Sequence, residues 1–313
     1  MNPVLPDEAI EFGAAATKAF VALGGVDAAR RAEEDPSLRA GEVASTLRAL
    51  GIDDLDPRDD ADSLAAAAAL CEAAGRVALP YPVPSALVRD DAGRPFAAVP
   101  DGALRVDHGD LFDEWRVAAL DGPSGLAAPT GDRLGTRLAP FVSDLALTAE
   151  EPHDPRDLQL HVALVGWQVL GTVDRAVELA VEHVNGRIQF GKPIASFQAV
   201  QFQLADCAVS VAGLRELAAF TLWRLDAAPG AALVDVLALR LQAIDVARQV
   251  LRTCQQLHGA AGVCDEYDIS VLTRMAQPAL RLPWSAERTA TVLADAVQGD
   301  GFLGLFEHGL AAR

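Results

Sequence analysis

Arg187, Gln189 and Phe190 fall within four residues of one another, after one long helical pattern and before another. A guanidinium offers a forked set of donors to an anion, an amide adds a donor and an acceptor, and an aromatic ring adds a flat apolar face. The stretch that holds them, from Gly186 to Asp206, contains the strongest chain breakers for dozens of residues: Gly191, which tolerates positive φ, and Pro193, which cannot continue a helix. The expected structure is a helix hairpin whose turn carries the three side chains, with free backbone groups at the helix ends open to a ligand or a neighbour. The same pattern also suits an ordinary link in an all-α bundle, with Arg187 answering the helix dipole and Phe190 serving as core.

Other residues could do chemistry. Cys254 and His258 share a helix face at i, i+4, with Cys264 further on, but a closed metal site needs four ligands and no further His or Cys is near, so no metal is expected. His161 could titrate near neutrality, although a lone His is more often structural or solvated. Glu287 falls about one turn after a cap at Ser285 and is expected to face solvent. Cys71, Cys207, Cys254 and Cys264 read as buried free thiols of a cytoplasmic protein.

The elements that would position these groups are mainly helical. With 51% hydrophobic but only 5% aromatic residues and abundant alanine, the 313 residues favour closely packed helices over a β-sandwich. A net charge of −18 argues against a nucleic-acid surface or an anionic membrane. No 18-residue stretch is free of charge and apolar enough to span a bilayer, and Met1 to Glu8 lacks the basic and apolar regions of a secretory signal. Helices are expected over residues 6–25, 37–50 and 64–77, the last starting at Asp62 or Ser63 and stopped by Leu79-Pro80-Tyr81-Pro82-Val83-Pro84. Residues 85–152 lose helical periodicity. Short apolar runs at Phe96–Val99, Ala103–Val106, Trp115–Leu120 and Leu145–Leu147 predict strands between Asp-, Gly- and Pro-rich turns. From residue 153 four helices return, over 158–187, 197–227, 231–258 and 285–297; in the first, Val162, Val165, Val169, Val173, Val177, Val181 and Val184 draw one stripe. The fold expected is mainly α with a small β region: an N-terminal helical domain (1–84), a reduced β-rich middle (85–152) and a C-terminal antiparallel four-helix bundle (153–313).

The run Arg-x-Gln-Phe-Gly-Lys-Pro-Ile from Arg187, then Phe197-Gln198-x-x-Gln201 and Leu204-Ala205-Asp206, resembles the C-terminal signature of flavin-dependent acyl-CoA dehydrogenases. A second matching block runs from Gln256 through Gly262 to Tyr267 and Arg274. The resemblance covers about residues 155–282 strongly and residues 1–90 weakly. In that family two subunits build each flavin site, and this hairpin reaches over to the adenosine and pyrophosphate end of FAD. The resemblance implies that Arg187, Gln189 and Phe190, with Gln198, are the reaching residues. Gln256 and Gly259 would lie in a turn, Gln256-Leu257-His258-Gly259-Ala260-Ala261-Gly262, whose small residues let backbone amides approach phosphate.

Two family features are missing. The Thr-Glu-Pro…Gly-Ser-Asp and Trp-Ile-Thr-Asn runs of the flavin-ring domain do not occur between residues 85 and 152. The family's usual base, a Glu about nine residues past the Arg matching Arg274, is replaced by Pro283, which cannot take a proton; the position a minority of the family uses falls near His161. This pattern is similar to the short subunits of actinobacterial α2β2 acyl-CoA dehydrogenases of steroid catabolism. The resemblance then implies an acyl-CoA substrate, FAD shared at a subunit interface, and a full-length partner subunit that supplies ring pocket and base. A complete homo-oligomeric enzyme with His161 as base, or a non-catalytic CoA-ester-binding scaffold, would fit the same residues.

Overall fold

The computed structural model describes residues 5–131 and 133–299; the first four residues of the stretch read for a leader lie outside them. Helix α1 (Asp7–Ala22) ends where Gly24 and Gly25 turn the chain at positive φ. Helix α2 (Val26–Glu34) follows, with an apolar face of one valine and three alanines. The helix expected over 37–50 is present in pieces: a 3-10 turn capped by Asp35, a π turn over Arg39–Val43, and α3 (Ala44–Ala49). Helix α4 (Ala61–Arg76) starts three residues earlier than the expected 64, because Asp60 rather than Asp62 or Ser63 is the cap: its carboxylate accepts from Ser63 N at 2.7 Å. The proline-rich exit carries a short helix, α5 (Val83–Leu87).

A five-stranded sheet follows: β1 (Phe96–Ala98), β2 (Arg105–Val106), β3 (Trp115–Ala118), β4 (Ser124–Pro129) and β5 (Ser143–Glu150), in the order β1-β3-β4-β5-β2. β1 runs parallel to β3; the other pairs are antiparallel. Trp115, Val117, Val99 and Ala127 form its own small core. β4, Ser-Gly-Leu-Ala-Ala-Pro, has turn-like composition; a Cβ at Gly125 would collide with the Ala149 carbonyl across the ladder, so glycine is what lets the two backbones pair.

Helix α6 (Pro155–Gly186), capped by Asp154, is the axis of the molecule. After it come the β6 (Ile188–Gln189) and β7 (Lys192–Pro193) hairpin, α7 (Gln198–Ala227), α8 (Leu233–His258), α9 (Asp268–Met275), α10 (Gln277–Arg281) and α11 (Ala286–Gly299). Helices α6, α7, α8 and α11 make the C-terminal bundle, but α4 packs on α6 as extensively as α8 does, and a single core runs from Phe20 and Leu70 through Trp167 and Leu170 to Leu251. The valine stripe therefore understates the burial of α6. Its first half is enclosed on nearly every side, whereas Val181 near its end is exposed. Gly75 of α4 and Gly171 of α6 let the two helices touch backbone to backbone: a Cβ at Gly75 would overlap the Gln168 carbonyl, and one at Gly171 the Glu72 carbonyl. Asp174 and Glu178, off the stripe, are both bound by Arg76 from α4 at 2.5 Å, so charge pairing edges the same contact.

Candidate functional site

The C-terminal end of α6 carries the first site. Arg187 N donates to His183 O at 2.9 Å, and Ile194 N donates to Arg187 O at 2.9 Å, which closes the base of the β6–β7 hairpin. Ile188 pairs with Pro193 and Gln189 with Lys192; the two-residue turn is Phe190 (φ 52°) and Gly191 (φ 78°), the geometry that matches the strand twist. Phe190 holds that left-handed conformation despite its bulk and is 91% exposed. It meets Phe197 edge-on at 6.2 Å, and Lys192 Nζ lies 4.6 Å above the Phe197 ring. Arg187 and Lys192 enter no salt bridge among the described residues. On a chain of net charge −18, these two cations beside an exposed aromatic make the surface locally positive.

The second sequence block arrives at the same end. His258, on the last turn of α8, stacks on His183 of α6 at 4.4 Å, and its Nδ1–H donates to Cys254 O at 2.7 Å. Gly259 has φ 61° and ψ −137°, open to glycine alone, and Gln255 Nε2 donates to Gly262 O at 3.0 Å to hold the turn. Arg187, Gln189, Phe190, Gln198, Gln256 and Gly259 are all exposed. Arg274 is buried and forms a bidentate pair with Glu33, tying α9 to α2.

A cavity opens at the junction of the sheet with the helices. Its volume is about 90 Å3, open to solvent, between Leu79 and Tyr81 of the proline-rich exit, β1–β2, α6 and the α9–α10 segment. His161 and Pro283, read from sequence as alternative base positions, line this one cavity. Pro283 follows a cis peptide bond. The His161 ring is spoken for: Ala98 N donates to its Nδ1 at 3.4 Å, so the proton sits on Nε2, which faces Ser85 Oγ at 3.0 Å. Burial first, and Arg240 second, push its pKa down to about 3, which makes the neutral ring a weak proton acceptor. Arg240 lies under the same wall, fully buried, donating to the Ala279 and Trp284 carbonyls on either side of Pro283.

Sequence reasoning missed Asp107 on the same cavity. His108 N donates to Asp107 Oδ1 at 3.1 Å, and His108, at φ 57°, is buried against Phe141 with Nδ1 3.3 Å from Arg39. Arg39 in turn holds Asp110 through both guanidinium nitrogens. Arg39 thus spends its charge on Asp110. Desolvation dominates Asp107, whose carboxyl is raised to about 7, against smaller lowering effects of the His108 N–H and Arg39. Asp107-His108-Gly109-Asp110 falls in the turn region expected after the Ala103–Val106 run, and nothing local distinguishes the one acid from the other. Cys264 is a second correction: it is exposed, unlike buried Cys71, Cys207 and Cys254, because it follows the Gly259–Val263 turn rather than sitting in the helix.

The chain is thus helical and folded round a small sheet, with a cavity at their junction and a cationic, aromatic hairpin at the far end of the central helix. Residues 157–281 match the family described as acyl-CoA dehydrogenase, C-terminal domain. Acryloyl-CoA reductase (NADH) of Anaerotignum propionicum is 35% identical over 113 residues, covering 36% of this chain and 28% of that protein. Curated relatives match over only 27–39% of their own length. Solved structures extend the likeness to the whole fold. The Tcur3481-Tcur3483 steroid ACAD superposes with a TM-score of 0.82 at 20% identity, covering 95% of this chain and 99% of that one. The ChsE4-ChsE5 complex from Mycobacterium tuberculosis gives 0.77 at 18%, covering 95% and 99%.

Proposed function

We propose that this chain is a subunit of a flavin-dependent acyl-CoA dehydrogenase. In this reading it lends the α6–α7 hairpin to the nucleotide end of an FAD whose ring pocket and catalytic base belong to a full-length partner. One observation carries the reading. His161 and Arg187 sit on one continuous helix, 26 residues apart in sequence, which at 1.5 Å per residue is a separation of about 39 Å. The hairpin cannot reach the cavity of its own chain, which supports a role at another subunit's site.

The residues present fit the nucleotide end of FAD. Arg187 and Lys192 have charge to spare for a pyrophosphate, Phe190 is free to lie on an adenine, and the Gly259 turn exposes backbone. When bound, the flavin supplies the hydride acceptor for α,β-dehydrogenation of a CoA thioester. Proton abstraction needs a carboxylate, and Pro283 together with the quenched His161 supports assigning that role to the partner. The neighbour described as a steroid ACAD and the apolar breadth of the cavity favour a steroid-derived acyl group.

The test is purification of the chain alone and co-expressed with a full-length acyl-CoA dehydrogenase subunit from the same genome. Flavin absorbance and thioester oxidation are expected only from the joint preparation. A yellow, active preparation of the single chain would overturn the division of labour.

A further inference from the structure

Two of the buried thiols sit on neighbouring helices in matching register. Helices α7 and α8 pack against each other, and two polar ties cross their seam: Ser210 Oγ donates to Gln249 Oε1 at 3.4 Å, and Arg224 Nε donates to Asp235 Oδ2 at 2.8 Å. From Ser210 forward to Arg224 and from Gln249 back to Asp235 the count is 14 residues each, so one antiparallel register holds along the seam. The buried stripes keep step with it. Cys207, Val211, Leu214 and Ala218 on α7 are spaced four, three and four apart, as are Cys254, Val250, Ala247 and Ala243 on α8. Cys207 and Cys254 therefore form the end rung of one seam, and both are fully buried in the same core. Alanines on the nearby rungs keep the two backbones close, as a disulfide between facing helices requires.

We propose that Cys207 and Cys254 are a redox-convertible pair, which a peroxide joins in an intrachain disulfide that staples α7 to α8. The electrostatics assign the roles. The Cys254 thiol, as hydrogen-bond donor, holds Cys207 below the usual thiol range against its own burial, while Cys254 is pushed up by the same contact and by desolvation. Cys207 is thus the attacking sulfur. Its thiolate attacks one oxygen of hydrogen peroxide, the O–O bond breaks, and the hydroxide that leaves takes a proton to become water. Cys207 is then a sulfenic acid. Cys254 Sγ attacks that sulfur, the S–O bond breaks, a second water leaves and the S–S bond forms. Two thiols are oxidised, one peroxide is reduced, and a dithiol reductant reverses the change. Among the described residues no group of three or more His, Cys, Asp or Glu could hold a metal, so the pair is a dithiol and not part of a metal centre. The staple would lie one turn before His258 and the Gly259 turn, and in the half of α7 next to the hairpin. The proposal concerns this chain's own helices and does not rest on the flavin reading.

The experiment uses the full chain carrying Cys264→Ser, which removes the exposed thiol and leaves three buried ones. The native protein is treated with hydrogen peroxide, quenched, denatured and titrated for thiols. The free count is expected to fall from three to one, that of Cys71, and to return to three with dithiothreitol. Trypsin should release residues 188–215 joined to residues 253–274. Adding Cys254→Ala should leave Cys207 as a sulfenic acid that dimedone captures; adding Cys207→Ala should leave Cys254 a free thiol. Three thiols still free after prolonged treatment, a bond to Cys71, or oxidation of Cys254 without Cys207 would overturn the assignment. None of these results bears on the hairpin's flavin contact, which absorbance decides.

Discussion

His161 makes a sharp statement about acid stability. Its ring is buried and neutral, with a folded pKa of about 3 against an ordinary value of 6.5. The unfolded chain therefore binds a proton at His161 that the folded chain refuses. Wherever the unfolded state binds more protons, stability rises with pH. This contribution is fully present above pH 6.5 and is lost as pH falls from 6.5 towards 3. At pH 4.5 the loss is two pH units at 1.36 kcal/mol each, about 2.7 kcal/mol. His161→Gln removes the titration while keeping an amide that can meet Ser85 Oγ and Ala98 N. The variant starts lower at pH 7, by about 1–2 kcal/mol for the altered buried bonds. Urea unfolding at pH 7.0 and 4.5 is the assay. The wild type should lose about 2.7 kcal/mol more than His161→Gln between those two pH values, so that the curves converge or cross. Parallel losses would mean that the ring is already solvated or charged, and the argument that His161 is too weak a base to act in the cavity would fall with it.

Arg187→Ala, at an exposed residue without an ion-pair partner among the described residues, should change the stability of the isolated chain by less than about 0.5 kcal/mol, yet weaken flavin retention by the joint complex roughly 10- to 100-fold, the value of one charge-assisted phosphate contact; equilibrium dialysis against FAD reads it. Gly171→Ala puts a methyl into the Glu72 carbonyl; backbone cannot yield as a side chain would, so overpacking of about 1–3 kcal/mol should outweigh the gain in helix propensity and show as a lowered urea midpoint. Of the four thiols, only Cys264 is exposed, so a disulfide reagent should titrate one equivalent from the native protein and four after denaturation.

The long helices were legible because each is periodic over many turns and bounded by Pro or Gly: α6, α7 and α8 lie within three residues of their expected limits. Shorter elements were lost to composition. α2 buries alanines, which carry little periodic signal, and β4 reads as a turn until its pairing with β3 and β5 is known. The hairpin's aromatic was legible as a residue but not as a geometry, since positive φ at Phe190 runs against the preference of a bulky side chain. The cavity was not legible at all. Its wall is drawn from residues between Gly75 and Pro283 that only the packing of α4, α6 and the sheet brings together. Two alternative base positions, read as separate possibilities, prove to line one cavity, and the acid that lines it with them came from a loop between expected strands.

The rigidity of α6 decides how the two sites can be used. No proline interrupts it after Pro155, its middle is held against α4 through Gly75 and Gly171, and α7 and α8 cover its other sides. Bending that would bring hairpin and cavity together would have to break those contacts, so closure within one chain is not available; on the reading proposed here, complementarity lies between chains. Two-fold pairing makes each subunit both lender and receiver of a hairpin. In a pair of unlike chains, one combined site would join the partner's pocket to this hairpin, and the other would join this chain's cavity to the partner's hairpin. The second has Pro283 where the family's carboxylate belongs, with the flanking carbonyls fastened to buried Arg240. On the reading proposed here, turnover is confined to the first, and this chain's own cavity is left free to bind a ligand that it does not oxidise.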